Sequence, residues 1–324
     1  LFDAGDIRRP RPWCADPAGW IVARALDAIE CRLNTATGGE TIRVLDYGAG
    51  TGFGAIEVLK AISERGITDR LAASDVSLEL HLVDLPTEWF AQSARLLGAH
   101  PWVHFHDLRS GGGGFRALPE VMSGRPVDVI IANMVFHLIP AKAMTRVAGS
   151  MAAVLRPGGS LLWNSPDVGP AGRAAVLFHD ANRAVRKEWL RESAGESLPR
   201  DVYSAVRHAH TALTAEAQER ANRRILPQPN DVDDIAAALG THLAGSTCRA
   251  DFEILSDELL DTLLVPSNAA EYFPELVDHS AREAVIRALM AKVMGTLGHG
   301  PAATAGGLNV SWTFGQSERR PTAR

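Results

Sequence analysis

The sequence predicts an α/β fold, strands alternating with helices, and three stretches in chain order predict it. In residues 44–54 an aliphatic run ends in an acid and passes into alternating glycines, after which residues 55–61 take helical spacing. Residues 126–140 hold an apolar run opened by Asp128 and closed by Asn133. Residues 154–163 read as the end of a helix, a Pro-Gly turn and a further strand.

Composition narrows the class. With 324 residues, 46% of them hydrophobic and 22% charged, the chain is expected to be one large or two smaller globular domains with a self-sufficient core. A formal charge of −5 disfavours a broad nucleic-acid face, which draws on clustered Lys and Arg. No apolar run reaches the length of a membrane span, and the first residues, Leu1 to Trp13, lack the apolar centre of a signal peptide, so cytoplasm is the expected location. Cys14, Cys31 and Cys248 form no C-x-x-C pair, so neither a disulfide framework nor a zinc knuckle is expected.

Taken in order, residues 1–12 read as an irregular arm, and Asp16-Pro17 caps a helix that runs to about Leu33. The first strand enters the glycine turn, where positive φ and close ligand approach require residues without a Cβ, and where the helix start offers free N–H groups. Two ligand classes use such a turn. A dinucleotide fingerprint fails at Gly48-x-Gly50, because Phe53 stands third, but Gly50-x-Gly52 with Ala55 matches its looser form. Asp46, expected to face the crevice just before the turn, repels a pyrophosphate and can hold a cationic amino group.

The following helix runs to about Glu64, stopped by Arg65-Gly66. Residues 78–85 are preferred over residues 71–75 as the second strand, so that Asp84, with Asp75 as the alternative, stands at its tip, where two carboxylate oxygens can accept both ribose hydroxyls. A third strand over residues 102–106 ends at Asp107-Leu108. His104 and His106 share one face of it, but nearby sequence offers no further ligand and no metal is expected. His137, after the fourth strand, is a general base or a structural cap of the next helix.

At this point the chain resembles the class I S-adenosylmethionine-dependent methyltransferases of small-molecule type. Val44-Leu45-Asp46-Tyr47-Gly48-Ala49-Gly50-Thr51-Gly52 completes their first motif, hydrophobic-hydrophobic-Asp/Glu-x-Gly-x-Gly-x-Gly. Residues 126–137 look like their "fDlVlsn-x-x-x-H" pattern, and Leu155-Arg156-Pro157-Gly158-Gly159 is similar to their turn before the fifth strand. The resemblance implies S-adenosyl-L-methionine as cofactor, held by Asp46, Gly48, Gly50 and Gly52, by Asp84 and Leu85 at the ribose, by Asp107 and Leu108 at the adenine, and by Asn133 near the sulfonium. It implies a Rossmann-like, seven-stranded, mostly parallel sheet whose last strand, residues 308–314, is antiparallel beside the fifth.

Residues 167–246 exceed the minimal fold and read as a helical lid inserted between strands 5 and 6, with helices over 172–192, 201–225 and 232–243. His179, Tyr203, His208 and His210 are its weak candidate bases. The expected division is an N-terminal arm and helix (1–38), a methyltransferase core (39–166 and 247–316), the lid and a loose tail (317–324). The implied reaction is methyl transfer to O, N or C of a metabolite, plausibly in natural-product biosynthesis. The partners are then a small-molecule acceptor, with no nucleic acid and no membrane; a homodimer is allowed. Two alternatives stay open: a non-methylating cyclisation or rearrangement on the same cofactor, and a nicotinamide oxidoreductase.

Overall fold

Helix α1, Pro12–Leu33, leads into β1, Thr41–Tyr47, and the glycine turn that follows opens α2, Phe53–Glu64. The structure, a computed structural model, describes residues 12–110, 114–166, 230–255, 260, 264, 278–287 and 307–319. The chain continues through α3 (Ile67–Ala73), β2 (Ser77–Asp84), α4 (Glu88–Leu97), β3 (Val103–Asp107), the short α5 (Leu118–Val121), β4 (Val127–Asn133), a 3-10 turn (Phe136–Leu138) and α6 (Ala141–Val154). Strand β5 (Leu155–Pro166), helix α7 (Val232–Gly240), β6 (Leu243–Leu255) and β7 (Gly307–Arg319) complete the described core elements.

The strands form one seven-stranded sheet in the order β3-β2-β1-β4-β5-β7-β6. Strands β1 to β5 are parallel where they pair, and β7 runs antiparallel beside β5, with Trp163 opposite Gly315. This is the Rossmann-like methyltransferase sheet expected from the sequence. Of the expected lid, 167–246, residues 167–229 lie outside the described residues, as do His179, Tyr203, His208 and His210.

Alternation along each strand sorts side chains into two cores. Ile42, Val44, Leu80, Leu82, Val129, Ile131 and Leu162 pack on one face with α1 and α2, through Ile21, Leu26, Ile29, Val58 and Ile62. Leu45, Val83, Val127, Ile130, Ala132, Leu161 and Trp163 pack on the other with Met144, Ala148 and Met151 of α6 and Ile235 and Leu239 of α7. Strands covered on both faces need continuous apolar runs, which is why β4 is buried from Val127 to Ala132.

Several expected boundaries are corrected. Helix α1 starts at Pro12 rather than behind Asp16, whereas the preference for 78–85 as the second strand holds, residues 71–73 being helical. The chain divides into two compact units: Cys14–Asp167, Pro229–Ala250 and Trp312–Arg324 in one; Leu1–Trp13, Val168–Gln228 and Asp251–Ser311 in the other. Helix α1 therefore belongs with the core rather than with a separate segment 1–38. Helix α7 does too, since its apolar face joins the α6 cluster instead of a lid ending at 246. Residues 317–319 close β7, Glu318 pairing with Ser160, so the strand runs past the expected start of the tail.

Candidate active site

The turn after β1 takes its shape from glycine. Gly48, Gly50 and Gly52 all have positive φ (73°, 51° and 79°), and a Cβ at Gly48 would collide with the side chain of Val135. Gly52 is the residue before α2, and the helix start behind it leaves backbone N–H groups to point at a ligand. The backbone is tied to the neighbouring strand, because Gly48 N–H donates to the Val83 carbonyl at 2.8 Å.

Polar side chains gather around this turn through the same alternation that builds the core. Asp46 follows Ile42 and Val44, Asp84 follows Leu80 and Leu82, Asp107 follows Phe105, and Asn133 follows Val129 and Ile131, each two residues on. All four therefore stand on the α2 side of the sheet at the carboxyl ends of adjacent strands, where open α/β sheets bind ligands. Asp84 is level with Asp107, and Asn133 with Asn164 of β5.

Asp84 braces the turn directly. One carboxylate oxygen accepts from Gly50 N–H and the other from Leu85 N–H, each at 2.6 Å. Burial pushes its pKa up, and these two backbone bonds hold it back. Asp107 is exposed and accepts from Arg109 N–H at 2.7 Å, while buried Leu108 donates its N–H to the Asp84 carbonyl at 2.9 Å. Asp75, the alternative to Asp84, lies before β2 begins, at the opposite end of that strand. The structure thus brings Asp84, not Asp75, to the glycines.

Asp46 differs from its expected setting. It is only 2% exposed and points under the turn at the start of α2, where its Oδ2 would lie 3.4 Å from a Cβ on Gly54. The reason is its parity with Ile42 and Val44, which faces the helix rather than an open crevice. Burial raises its pKa to about 7, the Asp84 carboxylate adds to the rise, and Ala55 N–H opposes it. Its Oδ2 and the Oδ1 of Asn133 are buried polar atoms with no hydrogen-bond partner among the described residues. Such atoms are costly unless something pairs with them.

His137 lies in the 3-10 turn and is 2% exposed. That burial disfavours an accessible base, and α6 starts behind Pro140 with no side-chain cap, so the cap role is not seen either. Two residues that the sequence reading passed over border the turn. Val135 packs against Gly48, and Trp89, in the first turn of α4, has Cε3 3.8 Å from where a Cβ on Gly50 would stand. The signal for Trp89 was available: an aromatic five residues beyond the acid at a strand tip.

Elsewhere the polar clusters are already paired. His81 Nδ1 and His106 Nε2 are 2.9 Å apart, and His81 Nε2 is 3.1 Å from Glu79. Burial lowers the pKa of His81 to about 4. Among the described residues no group of three or more His, Cys, Asp or Glu is placed to share a metal, and no helix is long and apolar enough to cross a membrane. A cleft of about 570 Å³ lies at the amino end of β4, away from the glycines, lined by Arg32, Asp128, Arg156 and the Pro157-Gly158 turn.

With a glycine turn after β1 and acids at successive strand tips, this sheet order is that of the Rossmann-like methyltransferase fold. A family model described as a methyltransferase domain matches residues 22–211. The chain belongs to that family of methyltransferase domains, and its sheet has the class I, Rossmann-like methyltransferase fold. Among solved structures it is similar to loganic acid methyltransferase with SAH, at a TM-score of 0.53 and 10% identity over 94% of each chain. It is also similar to the DszA carbon methyltransferase (TM-score 0.39, 22% identity, 50% of this chain) and to a phosphoethanolamine N-methyltransferase of Haemonchus contortus (0.43, 15%, 94%). The chain spans 38% and 56% of the lengths of these last two. No curated protein sequence matches it.

Proposed function

We propose that this chain transfers the methyl group of S-adenosyl-L-methionine to an O, N or C nucleophile of a small metabolite, in a biosynthetic role. The observation that carries the reading is the set of four polar side chains, Asp46, Asp84, Asp107 and Asn133, on one side of the sheet around three glycines of positive φ. The residues suit the cofactor: two orphaned buried oxygens, on Asp46 and Asn133, border a turn that a Cβ at Gly48 would block.

In this reading Asp84, already fixed by two backbone bonds, presents its remaining lone pairs to the ribose hydroxyls. Asp107 and the Leu108 backbone take the adenine edge. Asp46 acts from beneath the turn as a charge, favouring a cationic amino group without touching it. The Asn133 amide orients the reacting end. The cofactor supplies a methyl group already activated by positive sulfur, so alignment and exclusion of water carry much of the rate and a base is optional. His137 is then a structural residue of the loop.

The test is calorimetric titration of the purified chain with S-adenosylmethionine, S-adenosylhomocysteine and NADH. Binding of the first two alone supports the reading; binding of NADH alone would overturn it in favour of an oxidoreductase. Release of S-adenosylhomocysteine on turnover with a panel of small hydroxyl, amine and activated-carbon acceptors separates methyl transfer from cyclisation or rearrangement.

A further inference from the structure

The loop between β4 and α6 lies directly on the glycine turn, since Val135 fills the space a Cβ on Gly48 would need. Its path is unusual. Met134 has φ of 56°, a left-handed conformation that residues with a Cβ rarely adopt and that persists only where surroundings enforce it.

Two buried asparagines do the enforcing, at the two ends of the loop and with opposite chemistry. Asn164 of β5, fully buried, uses its amide oxygen to accept from Met134 N–H at 2.9 Å. Asn230, 6% exposed and just before α7, uses its amide NH2 to donate to the carbonyls of Phe136 (3.3 Å) and Ile139, and its backbone N–H donates to the His137 carbonyl at 3.0 Å. An acceptor thus fixes the start of the loop, and three donated bonds fix its end.

We infer that Asn164 and Asn230 are positioning residues for methyl transfer, holding residues 133–139 so that Asn133 and Val135 meet the glycine turn in one geometry. Asn164 and Asn230 act through the loop, and the inference rests on the function proposed above. In sequence they are separated from the loop by 30 and 94 positions for the Met134 and Phe136 bonds. No local motif joins the three segments.

The experiment uses the full chain and two readouts: hydrogen exchange of the peptide spanning 133–139, and affinity for S-adenosylhomocysteine at a temperature where circular dichroism shows each variant folded. N164L and N230L are each expected to speed exchange in that peptide and to lose at least tenfold in affinity. Adding Met134→Gly to N164L, which removes the cost of the left-handed φ, is expected to recover part of the lost affinity; no gain would overturn the inference. Should N164L not fold, N164D, which keeps an acceptor for Met134, is used in its place and is expected to bind within a few fold of wild type, with tenfold loss overturning the inference. Faster exchange with unchanged affinity would reduce both residues to structural ones. Unchanged exchange would sink the clamp whatever the affinity. A wild-type chain that fails to bind S-adenosylhomocysteine would overturn the proposed function and this inference with it, whereas a wild type that binds and variants that bind equally well would overturn the clamp alone.

Discussion

Asp46 and Asp128 are buried to the same depth, 2% and 3% exposed, at opposite ends of neighbouring strands, yet their surroundings differ completely. Asp128 at the amino end of β4 accepts from Arg32 Nε at 3.0 Å and from Arg43 N–H at 2.8 Å, and pairs with Arg156 Nε at 2.9 Å. Asp46 at the carboxyl end of β1 has one backbone donor, no cation acting on it among the described residues, and the Asp84 carboxylate close enough to repel it. Burial raises the pKa of Asp128 as well, but Arg43 N–H, Arg156 and Arg32 oppose the rise. The contrast therefore separates a buried acid with cations supplied by the chain from one that a bound cation would complete. In sequence each is a single acid in an apolar strand; their partners distinguish them.

The largest way to test the contrast is to remove the acid that is paired. Asp128→Ala leaves Arg156 without this counter-charge and Arg32 with Glu40 alone, and is expected to cost about 3 kcal/mol of stability. Urea denaturation measures it, and cofactor affinity of the folded protein should stay within a few fold. If affinity instead collapsed with stability intact, the two ends would not be separable.

The opposite sign is expected at Asp46. Its pKa is about 7 in the folded chain against an ordinary carboxylate value of 3.8, so the folded state holds a proton that the unfolded state releases. Stability from this group is fully present below about pH 4 and is lost as pH rises towards 7, by at most about 4 kcal/mol at 1.36 kcal/mol per pKa unit. Asp46→Asn should therefore stabilise the chain at pH 8 and change little at pH 4, read from denaturation at the two values. The same substitution should abolish a rise in S-adenosylmethionine affinity between pH 6 and pH 8, since binding a cation favours the ionised carboxylate. A destabilised D46N at pH 8 would refute the reading of Asp46 as an unbalanced charge.

Asp84 stands between the two, braced by backbone and still able to accept. Asp84→Ala is expected to weaken cofactor binding by about 1.5–3 kcal/mol, the value of charged hydrogen bonds lost. Asp75→Ala, at the far end of β2, serves as the control and should leave calorimetric affinity unchanged. Smallest is Gly48→Ala, which costs about 1–2 kcal/mol for a left-handed Cβ, with an added clash on Val135. Pairing it with Val135→Ala should return the clash portion of the lost affinity and leave the backbone portion; full recovery would show that φ at Gly48 matters little.

Much of the fold was legible because its signals are local. Glycines 48, 50 and 52, the acids at the tips of β2 and β3, and the Pro157-Gly158 turn each declare a backbone conformation within a few residues, and Gly158 does take a φ of 76°. The choice of residues 78–85 over 71–75 succeeded because alternation continued into an acid followed by Pro86. The start of α1 and the affiliation of α7 were misread for one reason: amphipathic spacing tells that a helix has an apolar face, not which face of which layer receives it.

By itself, then, the sequence determined the strand–turn–helix at the cofactor end, the order of the strands along the chain and which acids sit at strand tips, all consequences of torsional preference and periodicity. Only the tertiary structure decided that Asp46 lies under α2 while Asp128 meets Arg32 from 96 residues away, and that Asn164 and Asn230 close on one loop. Those facts depend on register and on which faces pack together. Burial and charge balance are properties of the surroundings, and the surroundings of a residue are supplied mostly by chain that is distant in sequence.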